Sequence, residues 1–150
     1  MKLLIVCSGN ICRSPTAEGI INHICNTNNY KDIYCKSAGL FDYHIGKSPD
    51  KRSINIAKKN NINIENIKAS KININDFEIF DLILGMDKNH ILQLKNFNLK
   101  KEKIKLYLNF TTKYKNQDVP DPYYGGIKEF NNVFKLIELG AKAIVKQIKY

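Results

Sequence analysis

The sequence contains no tryptophan, and only two of its 24 basic residues are arginine, Arg13 and Arg52. No apolar run reaches the roughly 20 residues that a membrane-spanning helix requires, which argues against a membrane protein or a membrane partner. The apolar stretch at the start ends after Val6 without a small-residue cleavage site, so we predict a strand there and not a signal peptide. These absences predict a cytoplasmic protein.

Cysteine and histidine are also scarce, and their spacing indicates neither disulfides nor metal. A disulfide scaffold is not expected of a 150-residue chain without a secretory signal. The four cysteines (Cys7, Cys12, Cys25 and Cys35) match no common zinc pattern, and the three histidines add no paired-ligand motif. We therefore expect no metal and no other cofactor.

The formal net charge of +10 favours anionic ligands, but it is weak evidence for nucleic-acid binding. Lysine, asparagine and isoleucine are all used heavily, which indicates an AT-rich coding bias, so we predict no nucleic-acid partner. The protein is expected to be a monomer with weak self-association at most. The same bias makes each remaining arginine informative, because a guanidinium holds oxyanions with a planar fork of donors.

Short apolar runs alternate with helical patterns along the chain. Strands are predicted at residues 3–6, 34–38, 81–86 and 104–108. Helices are predicted from Ser14, which would be the N-cap, from residues 48–50 to about 60, after Asp87 to about 94, and over 127–148, with a helical turn at 76–80. Strands that alternate with helices predict a parallel α/β sheet in one domain. Ligands bind such sheets beyond the carboxyl ends of the strands, where Cys7 falls.

The segment CSGNICRS, residues 7–14, joins the first predicted strand to the first predicted helix. Backbone N–H groups of such a loop can surround a tetrahedral anion, and Arg13 would grip two of its oxygens. The same positive surroundings would favour a thiolate at Cys7, which is an in-line nucleophile beneath a bound phosphate. The alternative is a buried structural cysteine. The predicted phosphate-binding loop comprises Ser8, Gly9, Asn10, Ile11, Cys12, Arg13 and Ser14, of which Gly9 would permit the tight curl and Asn10 would tolerate a left-handed conformation.

A thiolate that displaces a phenolate needs a general acid, and Asp121 in VPDPYYGG (residues 119–126) is the candidate. Prolines on both sides of Asp121 stiffen this segment. Tyr123 and Tyr124 would flank an aryl leaving group. An Asp-Pro pair is also an ordinary turn sequence, so Asp121 taken alone does not establish catalysis.

Together these motifs resemble the low molecular weight protein tyrosine phosphatase family. The similarity extends along the whole chain through Ser37-Ala38-Gly39, Ser48-Pro49-Asp50 and FEIFDLILGMD at residues 77–87. The resemblance implies a single phosphatase domain over residues 1–150, with a four-stranded parallel sheet flanked by helices. It further implies hydrolysis of phosphotyrosine in proteins or peptides, and of small aryl phosphates, through a phosphocysteine intermediate.

The resemblance also assigns roles to individual residues. Cys7 would be the nucleophile, Arg13 would bind phosphate and stabilise the transition state, and Asp121 would act first as acid and then as base. The supporting residues Asn10, Ser14 and Ser37 would hold the loop through hydrogen bonds. Cys12 would trap oxidised Cys7 as a reversible disulfide. Ile11 and Tyr43 would form opposite walls of the substrate pocket, beside Tyr123 and Tyr124.

Two positions depart from the family's pattern. Lys36 stands where many members have an aspartate before the serine that matches Ser37, and Ile67 stands near the place of a histidine that contacts that serine. We therefore expect an apolar contact behind the loop in place of a polar pair. Of the remaining residues, His44 is expected at the pocket rim, His23 on the first helix and His90 on a short surface helix. Cys25 and Cys35 are expected to be bystanders.

Three alternative functions remain open at this point. A protein-arginine phosphatase of the same family carries Thr at the position of Ile11, whereas an apolar side chain there suits a flat aryl ring. Arsenate reductases of this fold use two further cysteines near the third strand, and residues 66–98 contain none. A catalytically silent phosphate-binding module would lack the nucleophile or the acid, yet both are present.

Overall fold

Four parallel strands form the sheet at the centre of the structure, a computed structural model that describes residues 1–150. All four strands run in one direction, so their carboxyl ends share one edge of the sheet, and the last residue of the first strand, Cys7, pairs there with Gly39. The strands are β1 (Lys2–Cys7), β2 (Tyr34–Gly39), β3 (Leu82–Gly85) and β4 (Ile104–Leu106), in the spatial order β2-β1-β3-β4. The predicted α/β class and the four-stranded parallel sheet are confirmed.

Helices cover both faces of the sheet. The strand β1 is buried on both faces, which explains its unbroken apolar sequence. Its alternate residues Leu3 and Ile5 pack with the first, second and last helices on one face, whereas Leu4 and Val6 pack with the third and fourth helices on the other. None of the helices has both the length and the apolar character needed to cross a membrane. The helices are α1 (Arg13–Thr27), α2 (Lys51–Lys59), α3 (Asp76–Ile79), α4 (Lys88–Lys95) and α5 (Ile127–Lys149), with 3₁₀ turns at Lys101–Lys103 and Tyr107–Phe110.

Most predicted boundaries differ from the structure by a residue or two, and two of the differences have a structural reason. Helix α1 begins at Arg13 with Cys12 as its N-cap residue, so Ser14 lies inside the first turn and the prediction of Ser14 as the N-cap is wrong. The Ser14 hydroxyl is instead engaged by Cys7 and Asn10. Strand β4 ends at Leu106, two residues early, because the chain turns into a 3₁₀ helix in which the Tyr107 hydroxyl donates to the Ile137 carbonyl (2.8 Å).

Candidate active site

The loop after β1 places Cys7 at the carboxyl edge of the sheet and directly before helix α1. The thiol is 3% exposed, and its Sγ lies 3.0 Å from the Ser14 hydroxyl. A Cβ atom at position 9 would lie 2.9 Å from His44 Cδ2, so any larger residue there would displace the His44 ring. Asn10 carries the left-handed conformation of the loop, with φ of 58°. The curl predicted for this loop therefore depends on Asn10, and Gly9 serves the approach of His44.

A chain of hydrogen bonds runs through the loop, and its last donor points at the Cys7 sulfur. The backbone N–H of Ser70 donates to Asn10 Oδ1 (3.0 Å), which leaves the Asn10 amide to donate to Ser14 Oγ (2.8 Å). Because an amide Nδ2 can only donate, the Ser14 hydroxyl accepts from it and directs its own proton towards Cys7. This chain places a donor on the sulfur, which stabilises a thiolate.

Behind the loop, the structure differs from the sequence-based prediction of an apolar contact. The Ser37 hydroxyl donates to the carboxyl group of Glu18, which is 6% exposed on the inner side of α1. Burial raises the pKa of Glu18, and the hydrogen bond from Ser37 opposes this effect. Lys36 is exposed and Ile67 packs at the edge of the core, so these two positions form no polar pair, and the polar partner of Ser37 is Glu18 instead.

The contribution of Ser37 to the loop is also indirect. Its hydroxyl is engaged by Glu18, and its carbonyl accepts from the Ser70 hydroxyl at 3.4 Å. Ser70 in turn donates its backbone N–H to Asn10. The predicted hydrogen bond from Ser37 to the loop is therefore replaced by a contact through Ser70.

Arg13 is buried and fixed by groups that come from distant parts of the chain. One nitrogen of its guanidinium, Nη1, donates to Asp87 Oδ2 at 2.9 Å and to the Val119 carbonyl at 3.0 Å. Burial raises the pKa of Asp87, but hydrogen bonds from the His90 backbone and from Arg13 outweigh it, and the net shift is downward. Asp87 follows β3 at the same sheet edge as Cys7, and this position is the sequence signal that could have identified it as the anchor of Arg13.

Asp121 lines the same cavity, on the exposed part of the segment that follows Val119. Its side chain is 50% exposed, Oδ2 is 3.7 Å from Arg13 Nη2, and Oδ1 accepts from the Tyr123 backbone N–H at 3.1 Å. Arg52 holds this segment through the carbonyls of Tyr123 (3.0 Å) and Gly125 (3.1 Å). Arg52 is one of only two arginines in the sequence, and in the structure its guanidinium binds these backbone carbonyls.

Two further polar residues meet beside the loop, and one of them corrects a prediction. His90 is 1% exposed, so the expectation of a surface histidine is wrong. Its Nε2 lies 2.9 Å from the Ser8 hydroxyl, and its Nδ1 lies 3.3 Å from the backbone N–H of Asp87. Burial and, secondarily, the charge of Arg13 lower the pKa of His90 to about 4.

These residues enclose a cavity of about 360 Å³ with a polar floor and a largely aromatic mouth. The Tyr43 ring stacks on Phe41 with centroids 5.1 Å apart, and the rings of Tyr123 and Tyr124 meet edge to face at 4.9 Å. The floor suits a tetrahedral anion and the mouth suits a flat ring. The cavity is lined by Cys7, Ser8, Gly9, Ile11, Cys12, Arg13, Tyr43, His44, Asp121, Tyr123 and Tyr124, which brings together the predicted nucleophile, acid and walls.

The four cysteines are free thiols with different surroundings. Cys12 is buried against the same cavity as Cys7, and burial together with the charges of Asp50 and Cys7 raises its pKa to about 12. Cys25 and Cys35 are packed in the core under α1, as expected of bystanders. Burial raises the pKa of both.

The sequence is similar to known phosphatases over nearly its whole length. The family model described as low molecular weight phosphotyrosine protein phosphatase matches residues 2–150. The low molecular weight phosphotyrosine protein phosphatase of Saccharomyces cerevisiae is 34% identical over 153 residues, covering 98% of this chain and 94% of the relative.

Solved structures of two phosphatases superpose on nearly the whole chain. The protein tyrosine phosphatase of Entamoeba histolytica superposes with a TM-score of 0.92 at 34% identity, over 99% of this chain and 97% of that one. An arginine phosphatase of Drosophila superposes with a TM-score of 0.93 at 30% identity, over 100% and 99%. The chain therefore belongs to the low molecular weight phosphotyrosine protein phosphatase family.

Proposed function

We propose that this phosphatase hydrolyses phosphotyrosine in proteins and peptides through a phosphocysteine intermediate. Membership of the family makes phosphoproteins its substrate class. The observation that carries the finer proposal is the cavity in which Cys7, Arg13 and Asp121 converge beneath an aromatic mouth. A nucleophile, an oxyanion ligand and a proton donor are the three groups that displacement of a phenolate requires.

In the first step, the Cys7 thiolate attacks phosphorus in line with the leaving oxygen. The sulfur–phosphorus bond forms, the bond from phosphorus to the tyrosine oxygen breaks, and the Asp121 carboxyl group gives its proton to the departing phenolate. Arg13 and the backbone N–H groups of the loop hold the phosphoryl oxygens. The Ser14 hydroxyl stabilises the sulfur as thiolate before attack, because it donates to Cys7.

In the second step, the Asp121 carboxylate takes a proton from a water molecule as the water oxygen attacks phosphorus. The phosphorus–sulfur bond breaks, the electron pair returns to Cys7 as thiolate, and inorganic phosphate leaves. The 50% exposure of the Asp121 side chain supports this double role, because water must reach it once the phenol has left.

A second candidate, phosphoarginine, is favoured by one specific observation. The Drosophila structure that superposes with a TM-score of 0.93 is an arginine phosphatase. Against it stands Ile11, which lines the cavity with an apolar side chain among the tyrosines of the mouth. An apolar and aromatic mouth favours an aryl ring over a cationic guanidine group, so we place phosphotyrosine first. Arsenate reduction is not proposed, because residues 66–98 contain no relay cysteine.

The test is a panel of peptides that carry phosphotyrosine, phosphoarginine or phosphoserine, assayed with an aryl phosphate in the presence of a metal chelator. We expect phosphotyrosine to give the highest kcat/KM and phosphoserine to give negligible turnover. A higher kcat/KM for phosphoarginine would assign the second candidate. Inhibition by the chelator would contradict a metal-free cysteine mechanism.

A further inference from the structure

The proposed mechanism leaves one polar pair at the cavity unused. Ser8 follows Cys7 directly and lines the cavity, whereas His90 comes from α4 and is 1% exposed. Their side chains meet with Ser8 Oγ 2.9 Å from His90 Nε2. Burying a polar ring such as that of His90 is unfavourable in free energy unless hydrogen bonds compensate for the lost contacts with water. The partners of His90 therefore show what the residue does at this loop.

The direction of the hydrogen bonds follows from the backbone. The N–H of Asp87 lies 3.3 Å from His90 Nδ1, and a backbone N–H can only donate. Asp87 Oδ1 is also 3.3 Å from Nδ1, but no hydrogen bond joins these two atoms, whereas the Asp87 N–H is directed at Nδ1. Nδ1 is therefore the acceptor and Nε2 carries the proton, which it donates to Ser8. Burial keeps this imidazole neutral at neutral pH, since the pKa of His90 is lowered to about 4.

A hydroxyl that accepts from His90 retains its own proton for a second partner. The same arrangement occurs at Ser14, whose hydroxyl accepts from Asn10 and directs its proton to Cys7. Ser8 lies in the proposed phosphate-binding loop and is one of the residues that line the cavity. The acceptor that the proposed reaction brings to this place is an oxygen of the phosphoryl group.

We propose that the Ser8 hydroxyl donates to the bound phosphoryl group, and that His90 is a positioning residue that orients this hydroxyl. The inference rests on the proposed function, since it assigns a further ligand to the same phosphoryl group. A purely structural pair would only attach α4 to the loop. The two possibilities differ in phosphate affinity, which a structural tether would leave unchanged in a folded variant.

The first experiment compares Ser8→Ala with Ser48→Ala, a half-buried serine outside the cavity whose hydroxyl contacts Lys68. Affinity for inorganic phosphate is measured by calorimetry, and kcat/KM is measured with aryl phosphates of graded leaving-group pKa. For Ser8→Ala, we expect both quantities to fall by about 10- to 100-fold, as for a lost hydrogen bond to a charged group. The loss in kcat/KM should be the same for good and poor leaving groups, because the phosphoryl oxygens are common to all of them.

The second experiment separates the two nitrogens of His90. His90→Asn keeps an acceptor near Nδ1 but removes the donor to Ser8, whereas His90→Gln keeps a donor near Nε2. We expect His90→Asn to weaken phosphate binding by about 3- to 10-fold, the effect of one neutral hydrogen bond, and His90→Gln to restore most of it. The double variant Ser8→Ala/His90→Asn should lose no more than Ser8→Ala alone, because both changes act on one hydroxyl.

Several outcomes would overturn the inference while leaving the proposed function intact. Unchanged phosphate affinity in folded Ser8→Ala would show that the hydroxyl does not reach the phosphoryl group. Losses that add in the double variant would show that His90 does not act through Ser8. A ¹⁵N NMR spectrum with the His90 proton on Nδ1 would reverse the direction of donation. Failure of the proposed function would differ, because the unmodified enzyme would then show no turnover that depends on Cys7.

Discussion

The two loops that form the cavity differ in how they are held. The phosphate loop (residues 7–14) is largely buried, and its polar side chains bond to one another, to backbone groups, or to the side chains of Asp87 and His90; Asn10, Arg13 and Ser14 are at most 4% exposed. The acid loop (residues 119–126) is buried at Val119 but mostly exposed beyond it, with the side chain of Asp121 at 50% and Tyr124 at 95%. Val119 bonds to the Met86 backbone and to Arg13, whereas Arg52 holds the exposed part through the carbonyls of Tyr123 and Gly125.

This difference matches the demands of the two chemical roles. A nucleophile and the donors around an oxyanion act best when they are fixed before the substrate arrives, because they then need no reorganisation during the reaction. A group that gives a proton to a leaving phenol and then takes one from water must remain accessible to both. We therefore expect changes in the phosphate loop to abolish chemistry, and changes in the acid loop to reduce it in a way that depends on the leaving group.

The largest effects are expected in the phosphate loop. Cys7→Ser should abolish turnover, whereas phosphate or vanadate binding should largely survive because the backbone donors remain. Calorimetry with vanadate and a turnover assay measure the two properties separately. Full activity in Cys7→Ser would exclude the covalent mechanism.

Arg13→Lys should also lose most of its activity, for a geometric reason. The guanidinium of Arg13 bonds at once to Asp87 and Val119, and a lysine ammonium is a point charge that cannot reproduce a planar fork. We expect phosphate affinity and kcat/KM to fall together in this variant. Lys88→Ala, a change at an exposed neighbour of Asp87, is the control for a substitution beside the Arg13–Asp87 contact that leaves Arg13 in place.

A smaller loss is expected for the acid itself. Asp121→Asn should reduce hydrolysis of aryl phosphates by about 10²- to 10⁴-fold, the range for general acid–base catalysis. The loss should shrink as the leaving group becomes better, and phosphate affinity should change little. A loss of equal size for good and poor leaving groups would show that Asp121 does not protonate the phenolate.

The attachment of the acid loop can be weakened without touching the acid. Arg52→Ala removes the donors to the carbonyls of Tyr123 and Gly125, so Asp121 is held less well. We expect kcat to fall by about 10-fold for poor leaving groups, as for a modest misplacement of a catalytic group, with phosphate affinity unchanged. Arg52→Lys should recover only part of the loss, and Lys51→Ala on the same helix is the control. An equal fall in phosphate affinity would show that the two loops are held as one unit.

The sequence predicted the parts of the site whose signals are local. Strand, loop and helix follow one another within 20 residues around Cys7, and the turn chemistry of Asp121 lies within its own segment. It did not predict the partners that close the site from afar: Asp87 lies 74 residues from Arg13, and His90 lies 82 residues from Ser8. The helical periodicity of apolar residues predicts which of them are buried, but it gives no such prediction for a polar residue on the same face.

Glu18 illustrates the same limit. Comparison with the family's pattern at Lys36 and Ile67 predicted that the polar support of the loop was lost, yet a carboxyl group from α1 provides it. The position of Glu18 within the first turns of α1 was visible in the sequence, but its contact with Ser37 on the neighbouring strand depends on how α1 packs against β2. A sequence therefore shows which groups are present more readily than which groups meet.

The last difference between the loops is chemical, since only the phosphate loop contains thiols. Cys7 and Cys12 line the same cavity, but burial raises the pKa of Cys12 to about 12, so Cys12 remains protonated, and we expect the proposed nucleophile Cys7 to be the reactive sulfur. Peroxide should therefore oxidise the Cys7 thiolate first, giving a sulfenic acid and hydroxide. The Cys12 thiol can then condense with the sulfenic acid, forming a disulfide and releasing water.

We expect the smallest change in turnover, and the largest change in recovery, from Cys12→Ser. After peroxide inactivation, dithiothreitol should restore the unmodified enzyme, and bound phosphate should protect it because it covers Cys7. Cys12→Ser should recover a much smaller fraction of its own starting activity, because nothing then stops the sulfenic acid from proceeding to the irreversible acids. Cys25→Ala, a change in the core away from the cavity, should recover like the parent.

Equal recovery of Cys12→Ser and the parent, or a mass spectrum without a bond between Cys7 and Cys12, would remove Cys12 from this role. The reactivity of the buried loop would then depend on Cys7 alone.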